Sequence, residues 1–256
     1  MFKGQVVCIT GASSGIGRAC ATTFAEAGAN LLLCARRLDT LNQLAVELQS
    51  KHGIDVHTMG LDVRQQDKVA DAFNVLPKKW QSIDILINNA GLAAGLDTLQ
   101  EGNLQDWDDM IDTNFKGLLY VTRAILPTMV ERNKGHVINI GSIAGHQVYP
   151  KGAVYCATKQ AVNALSQGLR MDLLGTDIRV SSVDPGAVET NFSNVRFKGD
   201  TQRAAAVYIG MEPLKPEDVA DAVHYCASRP PHVNISEMII MPTHQAAVTM
   251  TFRTEG

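Results

Sequence analysis

Short apolar runs alternate along this chain with longer stretches of helical periodicity. The runs are nearly continuous in aliphatic residues, as expected of strands that are covered on both faces. They predict strands at Val6–Thr10, Asn30–Ala35, Asp55–Leu61, Ile83–Asn88, His136–Gly141, Arg179–Val183 and Glu237–Met241. Helices are predicted at Gly15–Ala27, Asp39–Lys51, Gln65–Leu76, Leu104–Arg132, Gly152–Leu174 and Lys215–Ser228. Because such alternation builds right-handed βαβ units, we expect an α/β fold: a doubly wound, Rossmann-like parallel sheet with helices on both faces.

The alternation continues along the chain without a repeat or a linker rich in Gly, Ser or Pro, so residues 1–256 are predicted to form a single domain. Two segments interrupt it. Residues 188–211 are polar and lack a clear period, which is typical of a substrate lid, with a plain surface insertion as the alternative. The tail 242–256 carries Val248, Met250 and Phe252, which are costly to expose, and we expect this tail to pack against a partner subunit.

Charge and cysteine usage narrow the class of function. The net charge of -3 at pH 7 gives no electrostatic reason to expect a nucleic acid or an anionic membrane as a partner. No apolar run is long enough to span a bilayer. The five cysteines include no C-x-x-C pair, and the seven histidines show no paired ligand spacing. We therefore expect reduced thiols, no metal site and a cytoplasmic location.

The segment Thr10–Arg18 joins the first predicted strand to the first helix with the spacing G-x-x-x-G-x-G. Small residues let the backbone approach a pyrophosphate, and the N–H groups and dipole of a helix N-terminus stabilise its charge. A simple tight turn is the alternative. The position between a strand and an amphipathic helix favours phosphate binding, for which the candidates are Gly11, Ser13, Ser14, Gly15, Ile16 and Gly17.

The end of the second predicted strand indicates which dinucleotide is bound. A cofactor without a 2′-phosphate usually meets a carboxylate there, but this strand is followed by Arg36 and Arg37. Guanidinium donors match a phosphate in geometry, so the pair predicts NADP(H), and Arg18 in the first helix is a third candidate charge. The alternative is that these arginines are solvated surface charges.

Tyr155 and Lys159 lie four residues apart in a predicted helix, which places the phenol and the ammonium on one face. A nearby cation lowers a tyrosine pKa from about 10, so that the phenol can act as a general acid or base. The spacing alone is common on helix surfaces. Ser142 makes it specific, because it follows a buried strand at the ligand-binding edge of the sheet. Asn114, in the preceding helix, is placed to hold a water on a proton path from the lysine.

Several short motifs together resemble the short-chain dehydrogenase/reductase family over essentially the whole chain. The motifs are Thr10-Gly11 through Gly17, Asp62-Val63, Asn88-Asn89-Ala90-Gly91, Asn114, Ser142, Tyr155 to Lys159 and Asp184-Pro185-Gly186. The resemblance implies one dinucleotide-binding and catalytic domain in which Asn114, Ser142, Tyr155 and Lys159 form a catalytic tetrad.

The same resemblance implies which residues hold the cofactor. Asp62 and Val63 are expected at the adenine, and Asn89 at the ribose region. Lys159 is expected to contact the nicotinamide ribose, and Tyr155 lies beside it. The remaining residues that the resemblance places at the cofactor are Ala90, Gly91, Pro185, Gly186, Val188 and Thr190.

Longer segments are similar to the NADP-dependent 3-hydroxy acid dehydrogenases, a branch that includes serine and allo-threonine dehydrogenases that also reduce malonic semialdehyde. Among them are Arg123–Pro127 and Phe192–Asp200. The similarity implies a homotetramer and a small substrate that carries a carboxylate. Ser142 and Tyr155 would contact its reacting oxygen, and Arg196 or Gln147 would anchor its carboxylate.

Other functions remain open at this point. The nearest is an NADPH-dependent reductase of 3-ketoacyl thioesters or of another ketone, which would share the tetrad. A sugar-nucleotide epimerase usually has a larger C-terminal domain than this length permits. A protein that only binds NADP(H), without catalysis, is the alternative from a different class.

Overall fold

Seven strands form one parallel sheet in the computed structural model of this chain, which describes residues 1–254. The strands are β1 (Val6–Thr10), β2 (Asn30–Ala35), β3 (Val56–Gly60), β4 (Ile85–Asn88), β5 (Gly135–Ile140), β6 (Ile178–Pro185) and β7 (Glu237–Ile240). Their order is β3-β2-β1-β4-β5-β6-β7, and every neighbouring pair is parallel. The direction of winding reverses between β1 and β4, which opens a crevice at the carboxyl ends of these strands.

Helices cover both faces of the sheet and separate two apolar cores. The helices are α1 (Gly15–Glu26), α2 (Leu38–His52), α3 (Gln66–Asn74), α4 (Leu104–Ile111), α5 (Leu118–Glu131), α6 (Ala153–Asp172), α7 (Phe192–Arg196), α8 (Thr201–Ala206) and α9 (Pro216–Ala227). Side chains of β1 alternate between the cores: Val7 and Ile9 pack with α1, α2 and α9, whereas Val6 and Cys8 pack with α3 and α5. The predicted fold class is confirmed. Within the described residues, no helix has the length and apolar character needed to cross a membrane.

The predicted helix Leu104–Arg132 is in fact interrupted. Between α4 and α5 the chain forms a wider π-helical turn, Asp112–Gly117, that contains Asn114. The Asn114 side chain bonds to the backbone of Leu92 outside this helix, at 2.8 Å through each of its two polar atoms. A π-turn inserts one extra residue per turn and often marks a functional site. Periodicity in the sequence does not show this turn, because one extra residue in a helix leaves the apolar pattern on either side nearly unchanged.

Residues 188–211 contain two short helices, α7 and α8, where the sequence showed no clear period. The tail forms a small hairpin of β8 (Gln245–Ala247) and β9 (Met250–Thr251), and its last two residues, 255 and 256, lie outside the described part. This hairpin folds back within the chain: Thr254 N donates to Gly210 O at 2.8 Å, and Arg253 Nη2 donates to Val207 O at 3.0 Å. These bonds attach the tail to residues 207–210, and the expected contact of its apolar side chains with a partner subunit stays a prediction.

Candidate active site

A cleft of about 810 Å³ lies at the carboxyl ends of the strands, between the sheet edge, residues 188–211 and the tail hairpin. Twenty of the residues predicted to form the site line it: Gly11, Ser13, Ser14, Gly15, Ile16, Arg36, Arg37, Asp62, Val63, Asn89, Ala90, Gly91, Ser142, Tyr155, Lys159, Pro185, Gly186, Val188, Thr190 and Arg196. The other three predicted site residues, Gly17, Asn114 and Gln147, are also within the described part of the chain but do not line the cleft. The structure thus brings most of the predicted site together.

The glycine loop occupies one end of the cleft. Gly11 and Gly15 have φ of 67° and 54°, a region that favours glycine. The Asn89 side chain stabilises the backbone of this loop, because its Nδ2 donates to Thr10 O at 2.9 Å and to Gly11 O at 3.3 Å. A Cβ at Gly17 would lie 2.4 Å from the same Nδ2, so Gly17 serves close packing and does not face the cleft. The Asn89 side chain therefore shapes the loop.

Helix α1 offers an open N-terminus to an anion. Ser14 is its N-cap residue but makes no side-chain capping bond, and the first turn carries no acidic residue. The first N–H groups of a helix have no partner within the helix, and together with the dipole they favour negative charge. This donor set fits a pyrophosphate.

Arg37 lies directly beside this loop. Its Nη2 donates to Ser13 Oγ at 3.1 Å and to Ser14 Oγ at 3.0 Å. Arg36 is exposed at the same end of the cleft. Arg18, the third candidate charge, does not line the cleft and is paired with Glu47 at 3.1 Å on the surface.

A residue that the sequence analysis missed holds the predicted adenine site. Arg64 contacts the Asp62 carboxylate through Nε and Nη2, at 2.7 Å for the shorter ion pair, and reaches Asp109 on α4 at 2.8 Å through Nη1. The hydrogen bonds from Arg64 lower the pKa of Asp62, against the opposing effect of its partial burial. Only the position of Asp109 in the fold reveals this role, because α4 is 45 residues away in the chain.

Lys159 lies at the base of the other end of the cleft. It is 7% exposed, and its Nζ donates to the carbonyl oxygen of Ile140 at 2.9 Å. Burial lowers the pKa of this ammonium to about 8, while the negative charge of Asp184 acts in the opposite direction. The group is thus poised to change charge close to neutral pH.

Tyr155 stands near Ser142 in the same end. Burial raises the pKa of the phenol well above its ordinary value, and the charge of Tyr149 adds to this, while a hydrogen bond with Ser142 acts to lower it. Ser142 follows β5, and its Oγ accepts a bond from Ala144 N at 3.1 Å, which orients the hydroxyl. Phe192 from α7 packs edge-on against the Tyr155 ring, with centroids 5.7 Å apart. The two hydroxyls therefore face one covered region.

Asn114 does not face the cleft with its side chain. Besides its bonds to Leu92, its Nδ2 donates to Thr158 Oγ1 at 3.1 Å, and Thr158 in turn donates to the carbonyl oxygen of Tyr155 at 2.8 Å. The side chain holds α6 against the loop after β4. The expected water on a proton path stays a prediction.

The two candidate carboxylate anchors have different positions. Arg196 lines the cleft, with its guanidinium carbon 5.4 Å from the centre of the Tyr149 ring and its Nε donating to Gly95 O at 3.2 Å. Gln147 is turned toward the tail, where its Oε1 accepts a bond from Val248 N at 2.8 Å. Gln147 is therefore corrected from a substrate contact to a support of the tail hairpin. Tyr149 was missed, because nothing in its local sequence indicates the approach of Arg196.

The cleft thus has a glycine loop and an open helix N-terminus at one end, and Tyr155 and Lys159 at the other. A family model described as short chain dehydrogenase matches residues 5–201, and the chain belongs to this family.

Individual relatives agree with this assignment. An NADP-dependent 3-hydroxy acid dehydrogenase of Schizosaccharomyces pombe is 43% identical over 256 residues, covering 100% of this chain and 99% of that protein. The NADP-dependent 3-hydroxy acid dehydrogenase YdfG of Salmonella typhi is 47% identical over 243 residues, covering 94% and 96%. A closed form of serine dehydrogenase complexed with NADP+ superposes with a TM-score of 0.91 at 43% identity, covering 98% of this chain and 100% of that one. The predicted family and branch are confirmed.

Proposed function

We propose that this chain is an NADP(H)-dependent oxidoreductase that interconverts small 3-hydroxy acids with their 3-oxo acids, the substrates being of the serine, allo-threonine or 3-hydroxypropionate type. The observation that carries the substrate class is the position of Arg196. Its guanidinium lies in the cleft against Tyr149 and near enough to Tyr155 for its charge to act against the rise in that phenol's pKa. A substrate that binds Arg196 through its carboxylate can present its hydroxyl to Tyr155.

The cofactor proposal rests on the donor set at the other end. NADP is named for the relatives above, in agreement with the prediction from Arg36 and Arg37. Arg36 and Arg37 would bind the 2′-phosphate, the glycine loop the pyrophosphate, and Asp62 and Val63 the adenine. Residues Pro185 to Thr190 and Lys159 would hold the nicotinamide end. When bound, NADP(H) supplies or accepts the hydride.

The chain's own residues move the proton. In the reducing direction the buried Tyr155 phenol stays protonated until it donates to the substrate carbonyl oxygen, which Ser142 holds through a hydrogen bond. In the oxidising direction the phenolate accepts the hydroxyl proton, and the Lys159 ammonium stabilises that phenolate. Asn114 supports the backbone of the helix that carries Tyr155 and Lys159, through its bond to Thr158.

The closed wall of the cleft favours a small acid over a 3-ketoacyl thioester. We interpret residues 188–211 as a substrate lid. Its α7 is bonded to Gly95 on the facing wall, and Lys198 pairs with Asp106 of α4 at 2.9 Å. A long thioester arm that leaves on this side would have to break both contacts, whereas a three- or four-carbon acid would not.

A panel of substrates read by the absorbance of NADPH tests the proposal. It contains L-serine, allo-threonine, 3-hydroxypropionate, its methyl ester and a 3-hydroxyacyl thioester, each with NAD and with NADP. We expect turnover of the free acids with NADP. Turnover of the thioester alone would support the reductase alternative, and binding of NADPH without any turnover would support a non-catalytic protein.

The anchor is tested by Arg196→Ala. We expect KM for the free acids to rise about 10- to 100-fold, because a charge-assisted bond contributes about 1.5–3 kcal/mol. The KM for the methyl ester should change little. Arg203→Ala is the matched control, since Arg203 lies over Phe197 in the same segment and does not line the cleft. An unchanged KM for the acids in Arg196→Ala would place the anchor elsewhere.

We further propose a cytoplasmic homotetramer. All five cysteines are free and buried, which suits a reducing compartment. Met250 and Phe252 remain 64% and 65% exposed, so the tail hairpin offers an apolar surface to a partner even though its backbone is bound within the chain. Sedimentation analysis of the purified protein tests the tetramer, and a monomer at working concentration would contradict it.

A further inference from the structure

Three ionisable side chains cluster behind the active-site end of the cleft. Asp184, at the end of β6, is 0% exposed. His146 Nε2 lies 2.9 Å from its Oδ2, and His146 Nδ1 lies 3.5 Å from Glu237 Oε1 on β7. Ser182 Oγ donates to Asp184 Oδ1 at 2.6 Å. The ligand atoms of the three ionisable groups fall within 4.8 Å of one another, but both imidazole nitrogens already face carboxylate oxygens.

This cluster reaches the catalytic end through a short segment after β5. A Cβ at Gly141 would lie only 1.8 Å from Asp184 Oδ1, so the carboxylate rests directly on this glycine. The preceding residue, Ile140, gives its carbonyl oxygen to Lys159 Nζ at 2.9 Å. Asp184 and Lys159 therefore contact adjacent residues of one segment, and a side chain at position 141 would displace the carboxylate.

The surroundings of Asp184 raise the pKa of its carboxyl group on balance, although two hydrogen bonds favour the charged carboxylate. Burial raises its pKa, and so does the charge of Glu237, while hydrogen bonds from Ser182 and His146 lower it. From α6, Asn163 Nδ2 lies 3.2 Å from His146 Nε2. The charged or titratable groups that face Asp184 are thus Glu237, His146 and Lys159.

We propose that Asp184 is a positioning residue of this active site: held by Ser182 and His146, its carboxylate favours the charged ammonium form of Lys159. The proposal rests on the role of Lys159 in the proposed function. In a buried setting one negative charge acts strongly on a nearby cation, because little solvent screens the pair. Asp184 does not contact the substrate and acts only through Lys159.

The sign of the effect follows directly. Burial favours the neutral amine, and Asp184 favours the ammonium, so that the pKa of Lys159 rests at about 8. Without the carboxylate this pKa falls, and Lys159 is then neutral over a wider part of the range above pH 7. A neutral amine no longer stabilises the Tyr155 phenolate.

The direct test follows the side-chain NMR signal of Lys159 with pH in lysine-labelled protein, with Lys159→Arg used to assign that signal. In Asp184→Asn, which keeps the size and polarity of the side chain, we expect the midpoint to fall by about one pH unit or more. Glu237→Gln is the matched control, since it makes the same carboxylate-to-amide change on the partly exposed side of His146. It should move the midpoint by less than about one third as much.

Equal midpoints in the wild-type protein and Asp184→Asn would overturn the proposal, as would equal shifts in Asp184→Asn and Glu237→Gln. If Asp184→Asn does not fold, the double variant Asp184→Asn/His146→Gln carries the same change and replaces the facing ring by a neutral amide that can bond to the new amide at position 184. It should also lower the midpoint.

The alkaline limb of kcat/KM for alcohol oxidation gives a second reading. It should move to lower pH in Asp184→Asn and stay in place in Glu237→Gln. A change in kcat without a shift of the limb would indicate a merely structural role and contradict the proposal. Because the NMR titration needs no substrate, failure to find any turnover would count against the proposed function and leave this inference to be decided separately.

Discussion

Arg196 and Gly95 are hydrogen-bonded to each other in both directions across the mouth of the cleft. Gly95 N donates to Arg196 O at 3.0 Å, and Arg196 Nε donates back to Gly95 O at 3.2 Å, although 101 residues separate the two in sequence. The residue proposed to anchor the substrate is thus also the residue that closes the lid. We therefore expect substrate binding and closure of the proposed lid to be coupled through Arg196, in keeping with lids that complete a site as they close.

Weakening the lid without touching Arg196 should affect substrate binding more than chemistry. Lys198→Ala removes the ion pair with Asp106, whose side chain is only 12% exposed and would lose its charged partner. We expect KM for the acid to rise about two- to five-fold with a smaller change in kcat, since ion pairs with one exposed member contribute about 0.2–1 kcal/mol. Hydrogen exchange in α7 and α8 should become faster.

The matched control for the lid is Lys79→Ala, which breaks an ion pair with Asp55 at the opposite edge of the sheet. It should leave KM and exchange in the lid unchanged. If Lys198→Ala changes neither quantity, the reciprocal bonds between Arg196 and Gly95 are sufficient to hold the lid.

The two arginines after β2 should contribute differently to cofactor selectivity. Arg36→Ala is expected to weaken NADP binding about 10- to 100-fold and to leave NAD binding unchanged, because only a 2′-phosphate loses a charged donor. Arg37→Ala should weaken both cofactors, since Arg37 also holds Ser13 and Ser14. Fluorescence titration measures both affinities. Arg18→Ala, which breaks the surface pair with Glu47, is the control and should change neither.

Replacing the proposed acid–base group should separate chemistry from binding. Tyr155→Phe keeps the ring that packs against Phe192 but removes the hydroxyl near Ser142. We expect kcat to fall about 100- to 10,000-fold, the usual contribution of a general acid or base, with NADPH affinity nearly unchanged. A variant with normal turnover would refute the proposed mechanism. A variant that loses NADPH binding would indicate instead that the phenol serves mainly to hold the cofactor.

The fold was predictable because its signals are local. The bounds of β1 and β2 match the predicted ones, since both strands have a neighbour on each side and are buried on both faces. The glycine loop and the Tyr155–Lys159 pair were likewise predictable, because each depends on the spacing of near neighbours within one loop or helix turn.

What the sequence could not show depends on contacts between distant segments. Asn114, in the π-turn, bonds to Leu92, and Gln147 bonds to Val248 of the tail and does not line the cleft. Arg64 and Tyr149 were missed for the same reason, because their partners Asp109 and Arg196 come near only in the folded chain. Local propensity says nothing about such pairs.

Stability at acid pH should depend on His136, a buried residue on β5 far from the chemistry. Burial lowers its pKa well below the ordinary value, and the nearby charge of Arg179 acts in the same direction. The folded protein therefore keeps the ring neutral, while the unfolded chain takes up a proton below about pH 6.5. The contribution of the neutral His136 ring to the free energy of unfolding is fully present above that pH. It is lost as the pH falls, by up to about 1.4 kcal/mol per pH unit, until the pKa of His136 in the folded protein is reached.

His136→Gln, which can still bond to Ser181 Oγ, should show a flatter decline of the free energy of unfolding between pH 7 and 5, measured by urea denaturation. His232→Gln, at an exposed site, should follow the wild-type decline, and a wild-type slope in His136→Gln would assign acid sensitivity to other groups.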